Sequence, residues 1–261
     1  MGQMYFVKGF TELMMAETYC SGLAFSDASQ ATGPLDVKFG PSLTTADALN
    51  AALGTLDSAV LFAATTDTLA TKIRSAARVA RARALLALNR YADARTEVAA
   101  VTTFQPYTLT YLQTSGDNGI WSLNNSQRRY TVSDSADPRV GRVRNATPFV
   151  SANDKRVPTR TNGASFETTI PNVAQQIWAV RDAAIQLIQP LDARLIEAEV
   201  QLKSGEITNY FATMNALRTA IALPNLVDPV DPDARVSQFF REKAFFQFGR
   251  GTRLGDLRRL I

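Results

Sequence analysis

The sequence predicts a mainly α-helical protein, an irregular helical-repeat scaffold interrupted by a loop-rich insertion that contains short strands. Three observations carry that reading. Apolar residues recur with a helical period through much of 3–101 and again from about Ala174. Two helix–turn–helix stretches share one residue grammar, although they lie far apart in the chain. Between them the composition shifts to Thr, Ser, Asn, Gly, Pro and Arg, and the helical period is lost. The expected organisation is therefore helical repeats over 1–101, an insertion over 102–172 that is the expected ligand region, and C-terminal helices over 173–261. With 261 residues, 46% of them hydrophobic, the chain has enough apolar surface for a full core.

Taken in order, residues 3–20 place Met4, Val7, Phe10, Leu13, Met14 and Ala16 near a 3.6-residue period. A Gly/Pro/Ser/Asp-rich loop fills Ser21–Ser42. Thr44-Thr45-Ala46-Asp47 reads as a helix start, with Asp47 favoured in the first turn by the helix dipole. That helix should run through Leu49, Leu53, Leu56, Val60 and Leu61. Further helices are expected over roughly 68–88 and from Tyr91 to Val101. In the insertion, Phe104–Leu112 and Thr147–Val150 look strand-like, and the aromatics Phe104, Tyr107, Tyr111, Trp121 and Tyr130 argue for an ordered segment. Pro224, Pro229 and Pro232 predict an extended linker over Leu223–Asp233, with the final helix beginning at Asp233 or the turn before it.

The repeated grammar is that of the tetratricopeptide turn. Arg83–Ala94 resembles it, with Asn89 at the position where glycine is common and a left-handed conformation is needed, and with small Ala94 allowing close helix approach. Glu199–Arg218 resembles it again, with Gly205 and Ile207 in place but Tyr210 at the small position. Two copies so far apart do not make a regular solenoid.

What the chain lacks is as informative. It has no histidine, which removes Ser-His-Asp and Cys-His catalysis, His-ligated zinc and haem, and the usual general base near neutral pH. A single cysteine, Cys20, excludes an intrachain disulfide and a multi-cysteine metal site; at the end of an apolar helix it reads as a buried structural thiol. No cofactor and no metal are expected, because Asp27 and Asp36 lack the spacing of a calcium loop. The formal charge of +4 is only mildly basic, and aromatics are not interleaved with the arginine runs as in a single-strand binder. Arg74, Arg78, Arg81 and Arg83 on one helix, and Arg128, Arg129, Arg139, Arg142 and Arg144 in one loop region, read as solvated faces. No apolar run reaches the roughly 18 residues of a membrane span. The first ten residues lack the pattern of a signal peptide, and Phe6 argues against myristoylation.

The richest stretch is the last. Phe239–Phe248 reads as an amphipathic helix with Phe240, Phe245 and Phe248, broken by Gly249 and Gly251, before a short helix with Asp256 among Arg253, Arg258 and Arg259. The pattern F-R-E-(K/R)-A-F-x-x-F-G-x-G-x-R-x-x-D-L-R-R resembles the C-terminal signature of the SusD/RagB-like outer-membrane nutrient-uptake lipoproteins. Arg194–Glu199 is similar to the family's R-L-x-x-A-E helix, Asn215–Arg218 to its N-x-(L/V)-R element, and Asp137-Pro138-Arg139 to the D-P-R of its irregular middle. The resemblance implies a tetratricopeptide-like scaffold on the outer membrane that captures glycans or other nutrients for a TonB-dependent transporter. Family members are usually longer, carry a lipoprotein signal and continue beyond this motif, so the chain is expected to be a fragment or a shortened relative. Cys20 is not matched to the lipid-bearing cysteine.

In the terminal motif, Arg241, Glu242, Gly251, Arg253, Asp256 and Arg258 read as structural: Asp256 with Arg253 or Arg258, and Glu242 with nearby arginines, as ion pairs between helices. The expected ligand contacts are Tyr107, Tyr111 and Trp121, whose rings suit the apolar faces of sugars, with Asn124 and Asn125 (and neighbouring Asn118) for hydroxyls. Asp134 and Asp137 could be set as a glycosidase pair, but a turn before Pro138 explains them better. The expected function is non-enzymatic capture of an oligosaccharide or other nutrient. The alternative is a tetratricopeptide-type interaction module or self-assembling subunit, which would bury its open faces on partners. A hydrolase using carboxylates alone comes third.

Overall fold

In the computed structural model, which describes residues 1–27, 32–33, 36–112, 114, 116–134 and 147–260, helices occupy both ends of the chain and the strands lie between. The contacts divide it into two units. The first holds Met1–Tyr107, Ile188–Asp228 and Thr252–Ile261; the second holds Thr108–Leu187 and Pro229–Gly251.

The described elements of the first unit are mainly helices. Helix α1 (Gly2–Thr18) packs on α2 (Thr45–Phe62), and α3 (Thr68–Ala87), α4 (Tyr91–Ala99), α6 (Pro190–Lys203) and α7 (Ile207–Ala220) continue the array. Their starts follow capping chemistry. The Thr44 hydroxyl accepts from the Asp47 amide at 3.1 Å while the Asp47 carboxylate accepts from Thr44, closing a capping box on α2. Asp67 caps α3 by accepting from Ala70 at 2.9 Å, and Asp192 accepts from the Gln189 amide at the start of α6.

The expected turns are present. Asn89 has φ +58 and Gly205 has φ +74, so each ends its helix in the left-handed conformation that the repeat grammar requires. Ala94 is wholly buried, as close packing of α3 on α4 demands. Tyr210, at the equivalent place in the second pair, is wholly buried as well, so α7 takes a large ring there.

Three expectations for this unit are corrected. The core face of α1 is Phe6, Leu13 and Ala16, whereas Met4 and Val7 are exposed. The phase is set by Gly9, where a Cβ would stand 2.7 Å from Leu56 Cγ, so the helices touch at that glycine. Cys20 is exposed, because α1 ends at Thr18 and Tyr19 turns into an extended conformation. The α3 arginines are not a solvated face. Arg74 donates to the carbonyls of Ala63 and Thr65, Arg81 pairs with Asp57 and Glu97, and Arg83 pairs with Glu17, tying α3 to its neighbours.

Helix α9 (Arg253–Arg259) closes this unit. Arg259 pairs with Asp256 at 2.6 Å and with Glu199 of α6. Burial alone would disfavour its charge, but the two carboxylates outweigh this and push its pKa above the ordinary value.

The second unit carries irregular structure. Strands β2 (Thr159–Ala164) and β3 (Pro171–Gln175) form an antiparallel hairpin whose register shifts between Thr161 and Ala164, at Gly163 with φ +73. Short α5 (Gly119–Trp121) runs into a π-helical turn over Ser122–Ser126, and α8 (Pro232–Phe246) begins at Asp231, whose carboxylate accepts from Ala234. Strand β1 (Tyr107–Leu109) pairs with β4 (Ile185–Ile188). The strand expected over Thr147–Val150 is a turn, and the helix expected from Ala174 is instead β3, a turn and β4. Gln175 explains the latter: its amide donates to the Trp178 carbonyl at 3.0 Å and accepts from the Trp178 amide at 2.8 Å, drawing the chain out of any helix.

Candidate ligand-binding site

The second unit holds an apolar hollow of about 450 Å³. Its wall is built from Ile120 and Leu123, from Tyr130–Ser133, and from the rings of Phe149 and Phe248. Phe149 stands edge-on to Phe248 with centroids 4.9 Å apart, and edge-on to Phe245 at 5.0 Å. Tyr130 is 64% exposed, so its ring face is open to a ligand. Gln175 and Asn124 supply the polar edge.

Two residues of the terminal motif form part of the wall, Phe248 and Gly249. Gly249 has φ +69 and lies against the buried ring of Trp178. Behind this wall Arg156 is nearly wholly buried, paired with Asp154 at 2.6 Å and with Glu242 at 2.7 Å, and its guanidinium lies 4.5 Å from the Phe246 ring centroid. Burial would lower its pKa, but Asp154 and Glu242 together raise it.

The asparagines are committed to the protein itself. Asn124 donates to the carbonyls of Tyr130 (2.8 Å) and Val173 (3.2 Å) and accepts from the Gln175 amide (2.8 Å). Asn125 donates to the Gln175 carbonyl and accepts from the Gln175 side chain. Asn118, wholly buried, caps α5 and donates to the Ala183 carbonyl. These residues shape the hollow by fixing its loops, with Asn124 also on its surface.

The other residues singled out from sequence are dispersed. Tyr107 is buried in the first unit, its ring 4.4 Å from that of Phe6 and its hydroxyl accepting from Gln3. Tyr111, in the second unit, is half-buried, and burial raises its pKa. Trp121 is half-buried on α5, next to Ile120 of the hollow. Arg241 is exposed, its guanidinium 5.9 Å from the Phe245 ring. Gly251 has φ +73, Arg253 is exposed, and Asp256 is partnered by Arg259. Arg258 donates to the carbonyls of Glu17, Thr18 and Tyr19 at the end of α1.

Asp134 accepts from the amides of Val150 and Ser151. Burial raises its pKa, but the hydrogen bonds from Ser151 and Val150 outweigh that and hold it below the ordinary value, which suits a loop anchor. Asp137-Pro138-Arg139, Arg142 and Arg144 lie outside the described residues. Asp36 accepts twice from Thr32, and among the described residues no three His, Cys, Asp or Glu side chains gather as a metal site requires. No helix among them is long and apolar enough to cross a membrane.

The sequence did not reveal Phe149 as part of a site. It stood in a presumed strand, and the residues that give it meaning, Phe245 and Phe248, are almost a hundred positions away.

Comparison with protein-family models finds no match, and comparison with curated proteins finds none either. Solved structures do match, each over 99% of this chain. A SusD-like carbohydrate binding protein from Bacteroides vulgatus ATCC 8482 gives a TM-score of 0.70 at 15% identity, matched over 62% of its own length. A SusD-like protein from Bacteroides fragilis NCTC 9343 gives 0.67 at 12% identity over 68% of its length. A SusD superfamily protein from Bacteroides vulgatus ATCC 8482 gives 0.64 at 16% identity over 66% of its length. The chain thus has the SusD-like fold, a helical tetratricopeptide-like scaffold with an irregular middle, and spans about two thirds of the length of these relatives.

Proposed function

We propose that this chain is a non-enzymatic carbohydrate-binding protein of the SusD type, which captures a glycan at the cell surface for import through a TonB-dependent outer-membrane transporter. The observation that carries the reading is the hollow lined by Tyr130, Phe149 and Phe248 in a chain with this fold. Sugar rings present C–H faces that stack on aromatic rings, while Gln175 and Asn124, held by the protein's own groups, fix the shape of the hollow. Trp121 and Tyr111 remain proposed contributors from the same unit.

Calorimetry of the purified chain against a panel of neutral and acidic oligosaccharides tests this. Tyr130→Ala removes an exposed ring without entering the core, and is expected to weaken binding about tenfold; Phe149→Ala should weaken it further. Trp121→Ala measures whether α5 takes part. Absence of binding across the panel would defeat the proposal.

A second reading rests on the exposed apolar residues Met4, Val7, Leu61, Phe62 and Leu69, with Tyr5 stacked on Phe62 at 5.3 Å. Such a surface in the first unit suits a protein partner, whether a transporter or another copy of the chain. Mass analysis by size exclusion separates the two: a concentration-dependent oligomer that Phe62→Glu abolishes would favour self-assembly.

A further inference from the structure

The turn of the β2–β3 hairpin encloses a separate hollow of about 280 Å³, lined among others by Arg128, Arg129, Ser165, Phe166 and Glu167. Its arginines differ from those that brace the helices and the buried ion pairs. Arg74, Arg83, Arg156, Arg258 and Arg259 each spend their guanidinium on carboxylates or backbone carbonyls. Among the described residues, Arg128 and Arg129 form no ion pair.

The Arg129 side chain and the Arg128 backbone are nevertheless held in place. The Arg129 guanidinium lies 4.4 Å from the ring centroid of Phe166, which supports its flat face and leaves the N–H edge for another group. Arg128 has φ +56, and its carbonyl accepts from the Phe166 amide at 2.9 Å, which fixes this segment to the hairpin turn. Its Nη1 stands 3.4 Å from where a Cβ of Gly163 would be, so the bulge glycine keeps room for the guanidinium. Ser165, on the same wall, has a buried hydroxyl without a hydrogen-bond partner. Two exposed cations, one of them stacked on Phe166, and an idle hydroxyl, opposed by the single carboxylate of Glu167, leave an electropositive receptacle.

We propose that this hollow receives an oxyanion carried by the ligand, a carboxylate or sulfate of an acidic sugar, in the fork of Arg129 with Arg128 beside it. Planar guanidinium groups recognise such oxyanions with paired, charge-assisted hydrogen bonds. That the oxyanion belongs to a sugar rests on the glycan-binding reading, whereas the anion preference stands on the arginines themselves.

The test is calorimetric titration of the full chain with a neutral oligosaccharide, a uronate oligosaccharide and a sulfated oligosaccharide of equal length, and with inorganic sulfate alone. The comparison uses wild type, Arg129→Gln and Arg160→Gln. Arg160 is an exposed arginine on β2 outside the hollow, so its variant makes the same change in net charge. One or both acidic oligosaccharides should bind at least about tenfold tighter than the neutral one, with the stronger arm naming the group. That advantage should vanish in Arg129→Gln, persist in Arg160→Gln and shrink with salt. Equal affinity for acidic and neutral ligands, or equal loss in both variants, overturns the anion site while leaving glycan capture standing. If no oligosaccharide binds but inorganic sulfate does, and Arg129→Gln abolishes it, glycan capture fails and the anion site stands.

Discussion

The backbone at Gly249 passes so close to the ring of Trp178 that a Cβ would lie 2.8 Å from Cζ3. Two independent demands meet there, because Gly249 also has φ +69. Gly249→Ala is expected to cost about 2–4 kcal/mol in urea unfolding, combining left-handed backbone with overpacking. Gly205→Ala, with φ +74 but open space around it, should cost only about 1–2 kcal/mol. Equal costs would show that the ring contact is unimportant.

Glycine in the exposed middle of α2 should behave the opposite way. Gly54 has nothing within 4 Å of an added Cβ, so Gly54→Ala should stabilise by about 0.5–1 kcal/mol through reduced backbone freedom of the unfolded chain. A rise in the thermal midpoint is the readout; a fall would mean that α2 depends on this glycine for another reason.

Arg156 supplies one buried cation to two carboxylates and packs on two aromatic rings. Arg156→Met should destabilise by about 3 kcal/mol or more, since breaking a buried pair leaves charge behind. Glu242→Gln keeps a hydrogen-bonding group and leaves Asp154 in place, and should cost less. Chemical denaturation of the two variants decides the order.

Asn124 offers a third kind of test, because all its donors serve the backbone. Asn124→Ala strips the Gln175 amide of its acceptor and is expected to cost about 1–3 kcal/mol. Amide hydrogen exchange should show faster exchange at Gln175 and Val173 than at the helices of the first unit, where protection should be unchanged.

The cap of α3 predicts a pH dependence. The Asp67 pKa is held below its ordinary 3.8, first by the hydrogen bond from Thr65 and then by the Ala70 amide. A folded-state value below the unfolded one means the contribution is complete above about pH 4 and fades as pH falls through the lowered value. Asp67→Asn retains a capping oxygen but no charge, so wild type and variant should differ at neutral pH and converge near pH 2 in thermal melts.

The helices were legible because their signals are local. Thr44 with Asp47, Asn89, Gly205 and the prolines before α8 act on residues within a turn of themselves, and each boundary they imply is present. Failures arose where a distant residue decides. The phase of α1 depends on Gly9 meeting Leu56; the extended path after Ala174 is the local exception, set by the Gln175 clamp on Trp178, which no helical period announces. The aromatics of the hollow could be listed as aromatics, but only folding brings Phe149 against Phe248, with Phe245 buried behind it. Charges misled in a different way. A run of arginines on a helix looks solvated until the acids at 17, 57 and 97 come to meet it.

Arg258 reaches the carbonyls of Glu17, Thr18 and Tyr19 across some 240 positions of chain. During synthesis, α1 therefore leaves the ribosome long before the side chain that satisfies its last carbonyls has been made. The first unit also waits for α6 and α7, which follow the whole irregular middle. Contacts of such high sequence separation make for slow closure, and they leave the early helices dependent on water or chaperones for cover in the meantime. A nascent chain halted before residue 252 would present α1 with an open end, whereas emergence of α9 completes it.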